Sequence, residues 1–368
     1  MSIPVTPITQ TDAEEPEYGL VPAEGDLIHA SAPMVQLLRH MMPKAQVIRL
    51  EARDDHNHRL RGLLHCFIQD GPWGPIANSL PFFGTHGGPV VPDQDPAVRA
   101  ALVEAFRQLV REKGCVASTL ITSPMDPDPQ QIRAILSPDY VDSRIGLITP
   151  LPAQTGVDGN NLMALFHSKS RNMVRKALQG GFRLDKTESP EHWTFLENTH
   201  GQNMARLNAA THPEAFFRYV IHPAAPSLEK HLYTAFLGDE PVAGLLLLSH
   251  HKSMEYTVPV IREEYRASQP LSFLIWHAMM EAVESGCRWW NWGGTWLSQE
   301  SLYRFKKRLG GVDHPYYYYV NVDDPILLKV ERHALMREYP FFYAYPFGQV
   351  ENQSLPDHPM RPLSLSIT

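Results

Sequence analysis

Cysteine is scarce. The 368-residue chain has three, Cys66, Cys115 and Cys287. They are far apart, odd in number and contain no CxxC pair, which argues against a disulfide framework and a structural zinc site. Buried thiols in a reducing compartment are the expectation. Long hydrophobic runs are also missing. The longest aliphatic stretch, Val242 to Leu248, is far too short to span a bilayer. The N-terminus runs from Met1-Ser2-Ile3 into acidic Asp12, Glu14 and Glu15, without the basic start and apolar core of a signal peptide. A cytoplasmic protein with no membrane span is expected. Excess positive charge is absent too. The net charge of −7 argues against a DNA partner and disfavours tRNA without forbidding it, since an acidic average can hide a local basic groove. The 18 histidines form no His-Glu-x-x-His or comparable metal set, so no metal is expected. Neither a GxSxG elbow nor a P-loop occurs.

What is present is an average globular composition, 43% hydrophobic and 20% charged, with length enough for two domains. The reading divides the chain into a Pro- and Glu-rich extended tail (1–27), a first half (28–150), a second half (151–335) and a Pro- and aromatic-rich segment (336–368) packed as irregular chain. Gln46 to Ala52 and Leu60 to Ile68 read as strands around a polar turn, and 71–96 as a Gly/Pro-rich connection. Ala101 to Val110 carries an apolar helical face, closed by Gly114 before a strand from Cys115 to Thr122. The second half repeats this order. Leu232 to Leu237, Val242 to Leu248 and Met254 to Ile261 are strands. A helix begins near Ser268 with Pro270 in its first turn, Gly286 ends it, and Cys287 to Trp292 is a strand. The helix exits Glu112-Lys113-Gly114-Cys115 and Glu284-Ser285-Gly286-Cys287 are alike, and an internal duplication follows. Between the halves, Leu162 to Leu178 reads as one basic helix. Residues 179–240 read as short elements, and Tyr316 to Val320 as an aromatic strand added to the second sheet. The fold class is a mixed-sheet α/β (α+β) protein.

Three stretches resemble the FemAB-like branch of the GNAT superfamily, including its BioF2-like acetyltransferase domains. They are Lys169 to Ala177 with Gly180-Gly181-Phe182, the unit from Pro241 to Trp292 closing with Asn291-Trp292-Gly293-Gly294, and Tyr303-Arg304-Phe305-Lys306-Lys307-Arg308-Leu309-Gly310-Gly311. The segment Phe83 to Pro89 looks like the family's first-half glycine loop. The resemblance implies tandem GNAT-like halves and transfer of an acyl or aminoacyl group to an amine in cell-envelope, polysaccharide or secondary-metabolite assembly. The donor it implies is acyl-CoA, an acyl-carrier thioester or aminoacyl-tRNA, with no tightly bound cofactor. Members that use tRNA carry a long helical hairpin in the second half, which 179–240 does not suggest. The alternatives are an aminoacyl-tRNA-dependent transferase and a GNAT-fold binding protein without turnover.

Acyl transfer to an amine needs an unprotonated amine, a positioned carbonyl and donors for the oxyanion. By resemblance, Lys306 of the Phe305-Lys306 pair stabilises that oxyanion, and Tyr303 and Phe305 accompany it. Trp292, Gly293 and Gly294 follow a strand, where glycines permit close backbone approach and exposed N–H groups bind oxygen. Two or three of Arg171, Arg175 and Lys176 share a helix face, where guanidinium forks bind phosphate well, and the resemblance implies that the cluster grips the diphosphate of an acceptor or the phosphates of a donor. At the strand-to-helix junction, Arg266, Ser268 and Gln269 are the candidates for a coenzyme A pyrophosphate, yet the glycines of a phosphate loop are missing and Pro270 removes a donor. No general base is identified. Glu255 and Tyr256 point to opposite faces if their strand is regular, and Tyr256 is placed ahead of Glu255, His250 and His251 for lining the site.

Overall fold

The computed structural model describes residues 3–9, 20, 25–82, 86–153, 159–207, 209–221, 228–296 and 298–347. Its first unit runs β1 (Val5–Thr9), α1 (Ala32–Met41), β2 (Gln46–Arg53), β3 (Leu60–Gln69), β4 (Ile76–Asn78), α2 (Pro96–Glu112), β5 (Ala117–Ile121), α3 (Pro129–Leu136) and β6 (Tyr140–Pro150). Two helices follow, α4 (Asn160–Leu165) and α5 (Ser168–Leu178). The second unit opens with β7 (Phe182–Asp185), α6 (Pro190–Arg206), α7 (Glu214–Ile221), β8 (Glu229–Leu237), β9 (Glu240–His250) and β10 (Ser253–Ile261). It closes with α8 (Pro270–Glu284), β11 (Trp289–Thr295), α9 (Glu300–Arg308) and β12 (Val312–Val322), and α10 (Arg332–Glu338) ends the helices.

All the strands join one 12-stranded sheet in the order β1-β2-β3-β4-β5-β12-β6-β11-β10-β9-β8-β7. Read from opposite edges, each strand of the first unit holds the place of the strand numbered six higher. Each unit is an antiparallel meander, then a crossover helix, then a strand parallel to the last of the meander: β4 with β5, and β10 with β11. The closing strands are exchanged. β6 pairs with β11, β12 pairs with β5, and β6 and β12 pair with each other at the centre. This exchange makes one sheet out of two.

Local chemistry explains the helix starts. Asp95 caps α2 by accepting from the Ala97 and Val98 N–H groups, with Pro96 in the first turn. Alternation along β9 sorts the core onto two faces. Leu245 and Leu247 pack with Phe273, Leu274 and Ala278 of α8. Leu246 and Leu248 pack with Met34 of α1, Leu196 of α6 and Phe216 of α7.

Several expectations change. Part of the expected tail, Val5 to Thr9, is an edge strand on β2, where Pro7 is tolerated because an edge has an unpaired side. The Gly/Pro-rich connection contains β4. The single basic helix is broken at Phe166 and His167. Phe166 is extended and buried, and the His167 side chain caps α5 through the Lys169 N–H. Residues 179–240 include α6, of 17 residues, begun by Ser189 capping the His192 N–H ahead of Pro190 and Glu191. The strand containing Tyr316 to Val320 joins β5 and β6 rather than extending the second meander. Tyr339 and Tyr345 of the C-terminal segment are buried. The segment from 348 onward, and Phe83, Gly84 and Thr85 of the glycine loop, lie outside the described residues. No helix among the described residues is long and apolar enough to cross a membrane.

Candidate active site

Strands β10 and β11 pair only from Ser253–Trp289 to Glu255–Asn291. Both then distort. β10 has a register shift between Tyr256 and Val258, and β11 one between Asn291 and Gly294. The bulge in β10 reverses the facing of its side chains. Met254 and Tyr256 pack toward α8, whereas Val258 and Val260 pack toward α6 and α7. In β11 the turn is made at Gly293, whose φ of +71° is costly for other residues. A Cβ on Gly294 would overlap the Tyr316 hydroxyl. Both glycines are therefore required by geometry.

A chamber of about 350 Å³ opens where the strands part, with Glu255, Tyr256, Thr257, Gly293 and Gly294 in its wall. At the matching place in the first unit, past β4 and β5, the space among Ser79, His86 and Ser123 is about 50 Å³. A larger groove of about 650 Å³ lies between α6 and residues 262–264. Its arginines are committed, Arg206 to Glu263 and Arg262 to Glu240 and Glu264. A buried carboxyl and a buried ammonium, each shifted toward its neutral form, sit instead at the strand parting.

Glu255 is 8% exposed. Its Oε2 accepts from Asn291 Nδ2 at 2.7 Å. Burial pushes its carboxyl up to about 8, against the opposing pull of the Asn291 hydrogen bond and the Lys306 charge. Lys306 is 4% exposed. Its ammonium donates to Gly293 O at 3.2 Å, Gly294 O at 3.1 Å and Thr295 Oγ1 at 3.0 Å. Burial brings it down to about 8, and Glu255 acts against that fall. The bend thus carries a buried acid and a buried base, each limiting the other's shift.

The structure brings together some of the expected residues and not others. Lys306 lies beneath Gly293 and Gly294 but meets their carbonyl oxygens. The Gly293 N–H, expected as an oxygen-binding donor, is taken by Asn291 Oδ1 at 2.9 Å. Tyr256 lines the chamber, and so does Glu255, although the register stays regular through both and shifts only after Tyr256; the chamber opens at the edge where β10 and β11 part and is bordered by both strands. Burial raises the Tyr256 hydroxyl far above its ordinary range. Trp292, Tyr303 and Phe305 sit behind the bend. Trp292 donates to Thr149 Oγ1 at 2.8 Å and packs on Tyr256 and Phe305, and Tyr303 donates to Asp313 at 2.9 Å. Arg171, Arg175 and Lys176 lie on α5, away from the chamber wall. Arg171 donates to Phe166 O at 2.9 Å, while Arg175 and Lys176 are exposed. At the α8 start, Pro270 has no N–H, and the Ser272 and Phe273 N–H groups both bond Gln269 O. Arg266 faces Glu263 at 3.7 Å, and Ser268 is exposed. The first-turn donors a pyrophosphate needs are largely spent inside the chain. Asn291 and Tyr316 stand in segments noted in the sequence but are given no site role there, and Thr257 is not singled out. A carboxylate between apolar residues on a central strand was the available signal for Glu255.

The fold, two meander–helix–strand units joined through exchanged closing strands with a site at the strand parting of the second, is of the tandem GNAT type. Residues 166–307 match the family described as Acetyltransferase (GNAT) domain. Among solved structures the chain is similar to FemX, with 15% identity, a TM-score of 0.64, and coverage of 84% of this chain and 95% of that one. It is also similar to the C-terminal DUF2156 domain of a putative lysylphosphatidylglycerol synthetase from Agrobacterium fabrum, with 14% identity, a TM-score of 0.53, and coverage of 83% and 92%. L-PGS from Bacillus licheniformis follows at 11% identity, a TM-score of 0.50, and coverage of 86% and 97%. No curated protein sequence matches.

Proposed function

We propose that the chain joins an acyl or aminoacyl group to an amine at the bend between β10 and β11, with Glu255 as the general base. The amine nitrogen attacks the acyl carbonyl and forms the new C–N bond. Its proton passes to the Glu255 carboxylate, and the carbonyl π pair moves onto oxygen. When that pair returns, the bond to the thiolate or ribose oxygen breaks, and the proton goes to the leaving group. A base with its pKa near 8 suits this task, because it is strong enough to accept the proton and partly ionised near neutral pH.

The three ammonium hydrogens of Lys306 are already used. Its role in this reading is to fix the bend and to hold positive charge beside Glu255, rather than to touch the oxyanion. The crowded α8 start favours a donor anchored by something other than a coenzyme A pyrophosphate. An acyl-carrier thioester or aminoacyl-tRNA meets that condition, and the exposed basic face of α5 is the surface we assign to its phosphates. One structural relative is named for making lysylphosphatidylglycerol, an aminoacyl ester, which fits an aminoacyl donor.

The carrying observation is the buried Glu255 carboxyl in the chamber wall, held by Asn291. The test offers acyl-CoA, acyl-carrier thioesters and charged tRNA with a panel of amines, and detects amides by mass spectrometry. Glu255→Gln is expected to lower turnover by about two to four orders of magnitude. A folded Glu255→Gln variant with undiminished turnover overturns the assignment. Ribonuclease sensitivity separates the tRNA donor from the thioesters.

A further inference from the structure

The chamber wall has an unusual charge inventory. Ile28, Met34, Phe82, Phe216, Leu248 and Leu302 give it aliphatic and aromatic surface, and Trp296 stands beside them. Glu255 is the one acidic residue in the wall among the described residues, and no lysine, arginine or aspartate joins it. The remaining ionisable lining groups besides Tyr256 are His29 and His212. Each is packed among rings rather than acids. His29 meets His86 with centroids 4.1 Å apart, and His212 stacks on Phe216 at 4.5 Å. His29 Nδ1 and His212 Nδ1 are buried without a hydrogen-bond partner. Burial lowers His29 to about 4 and His212 to about 3, with His200 adding to the latter. Both rings are therefore neutral at physiological pH. The nearby guanidinium of Arg144 does not compensate, since it is stacked on Trp296 at 3.2 Å and paired with Asp142 at 2.6 Å.

We infer that this chamber selects an uncharged, apolar or aromatic substrate group and rejects charged groups of similar length. The inference rests on the proposed reaction at Glu255, which brings a reacting substrate to this wall. A charged group entering in addition to the reacting amine would lose water and find no counter-ion other than Glu255, which the reacting amine already engages, whereas a phenyl or branched alkyl group replaces water against the aliphatic surface. Either the amine or the acyl partner can carry the group, because both must reach the bend.

Isothermal titration calorimetry on the full chain tests this without turnover. The amine arm compares 4-phenylbutylamine with 1,5-diaminopentane. The acyl arm compares the phenylacetyl and succinyl thioesters of N-acetylcysteamine. In at least one arm the aromatic probe is expected to bind about 100-fold tighter than its charged counterpart, and that arm identifies the carrier. Leu302 is 38% exposed at the rim, so its replacement leaves the core intact. Leu302→Trp is expected to weaken the aromatic probe at least about tenfold by filling space. Leu302→Asp is expected to narrow the gap in the amine arm by supplying a counter-charge. Equal binding of charged and aromatic probes in both arms, no aromatic binding in either, or aromatic binding unchanged by Leu302→Trp overturns the inference. The Glu255→Gln turnover test is read separately, so either idea can fail while the other's result remains legible.

Discussion

One side chain, Asn291, holds both Glu255 and the bend of β11. Its Nδ2 donates to Glu255 Oε2 at 2.7 Å, and its Oδ1 accepts the Gly293 N–H at 2.9 Å. The parallel pairing of Glu255 with Asn291 is also the last rung before the strands separate. The buried carboxyl and the backbone turn beside it are therefore set by the same residue.

Replacing that amide should move the pH dependence. The Asn291 hydrogen bond favours the ionised form of Glu255. Its loss in Asn291→Ala raises the carboxyl further, so the rising limb of the pH–rate profile shifts to higher pH. Turnover at pH 7.5 is expected to fall about 10- to 100-fold. A profile of unchanged position would remove Asn291 from this role.

Lys306 is expected to matter for stability as well as rate. Lys306→Met strands two carbonyls and a hydroxyl that are buried around the ammonium. The loss should be about 2–4 kcal/mol, read from urea midpoints. Turnover should drop about 100-fold or more, with the acid limb again moved upward because a positive charge beside Glu255 is gone. A variant of wild-type stability would mean those acceptors have another source of donors.

Glu255 also makes a signed prediction about stability. Its folded pKa lies above the ordinary 4.5, so between about pH 4.5 and pH 8 the native state binds more protons than the unfolded state. The contribution is present in full below 4.5 and is lost as pH rises through 8. Glu255→Gln does not titrate, so its stability relative to wild type should improve by about 1–3 kcal/mol between pH 5 and pH 9. Lys306 remains in both proteins and is largely common to the comparison. Denaturation at four or five pH values measures this, and a constant difference would contradict it.

Tyr316 and Gly294 meet across β12 and β11. Gly294→Ala forces the new methyl into the Tyr316 hydroxyl, at an expected cost of about 1–3 kcal/mol together with loss of turnover. Tyr316→Phe removes the obstructing oxygen, so the double variant should regain part of the lost stability. Additive losses would show that the conflict lies elsewhere.

Much of the second unit was legible in sequence. The apolar runs Leu232 to Leu237 and Val242 to Leu248, parted by the turn residues Gly238-Asp239-Glu240-Pro241, and the helical spacing of Leu271 to Val283 are local patterns, and they correspond to β8, β9 and α8. The exchange of β6 and β12 was not legible, because pairings such as Val312 with Ile148 join residues far apart in sequence. The bulge at Tyr256 was hidden for a different reason. Period-two reasoning assumes a regular strand, and the residue that breaks the period is an ordinary tyrosine or threonine. For the candidate site, the glycines and Lys306 stood in recognisable motifs. The chamber did not, since Ile28, Met34, Phe82 and Phe216 enter it from separate elements and look individually like any core residue.

The most direct measurement is a ¹³C NMR titration of the carboxyl carbons in protein labelled at glutamate. The account predicts one glutamate titrating near pH 8, absent from Glu255→Gln and shifted upward in Asn291→Ala. If every glutamate carboxyl instead titrates in the ordinary acidic range, Glu255 is not the buried base described here, and the proposed proton path is wrong.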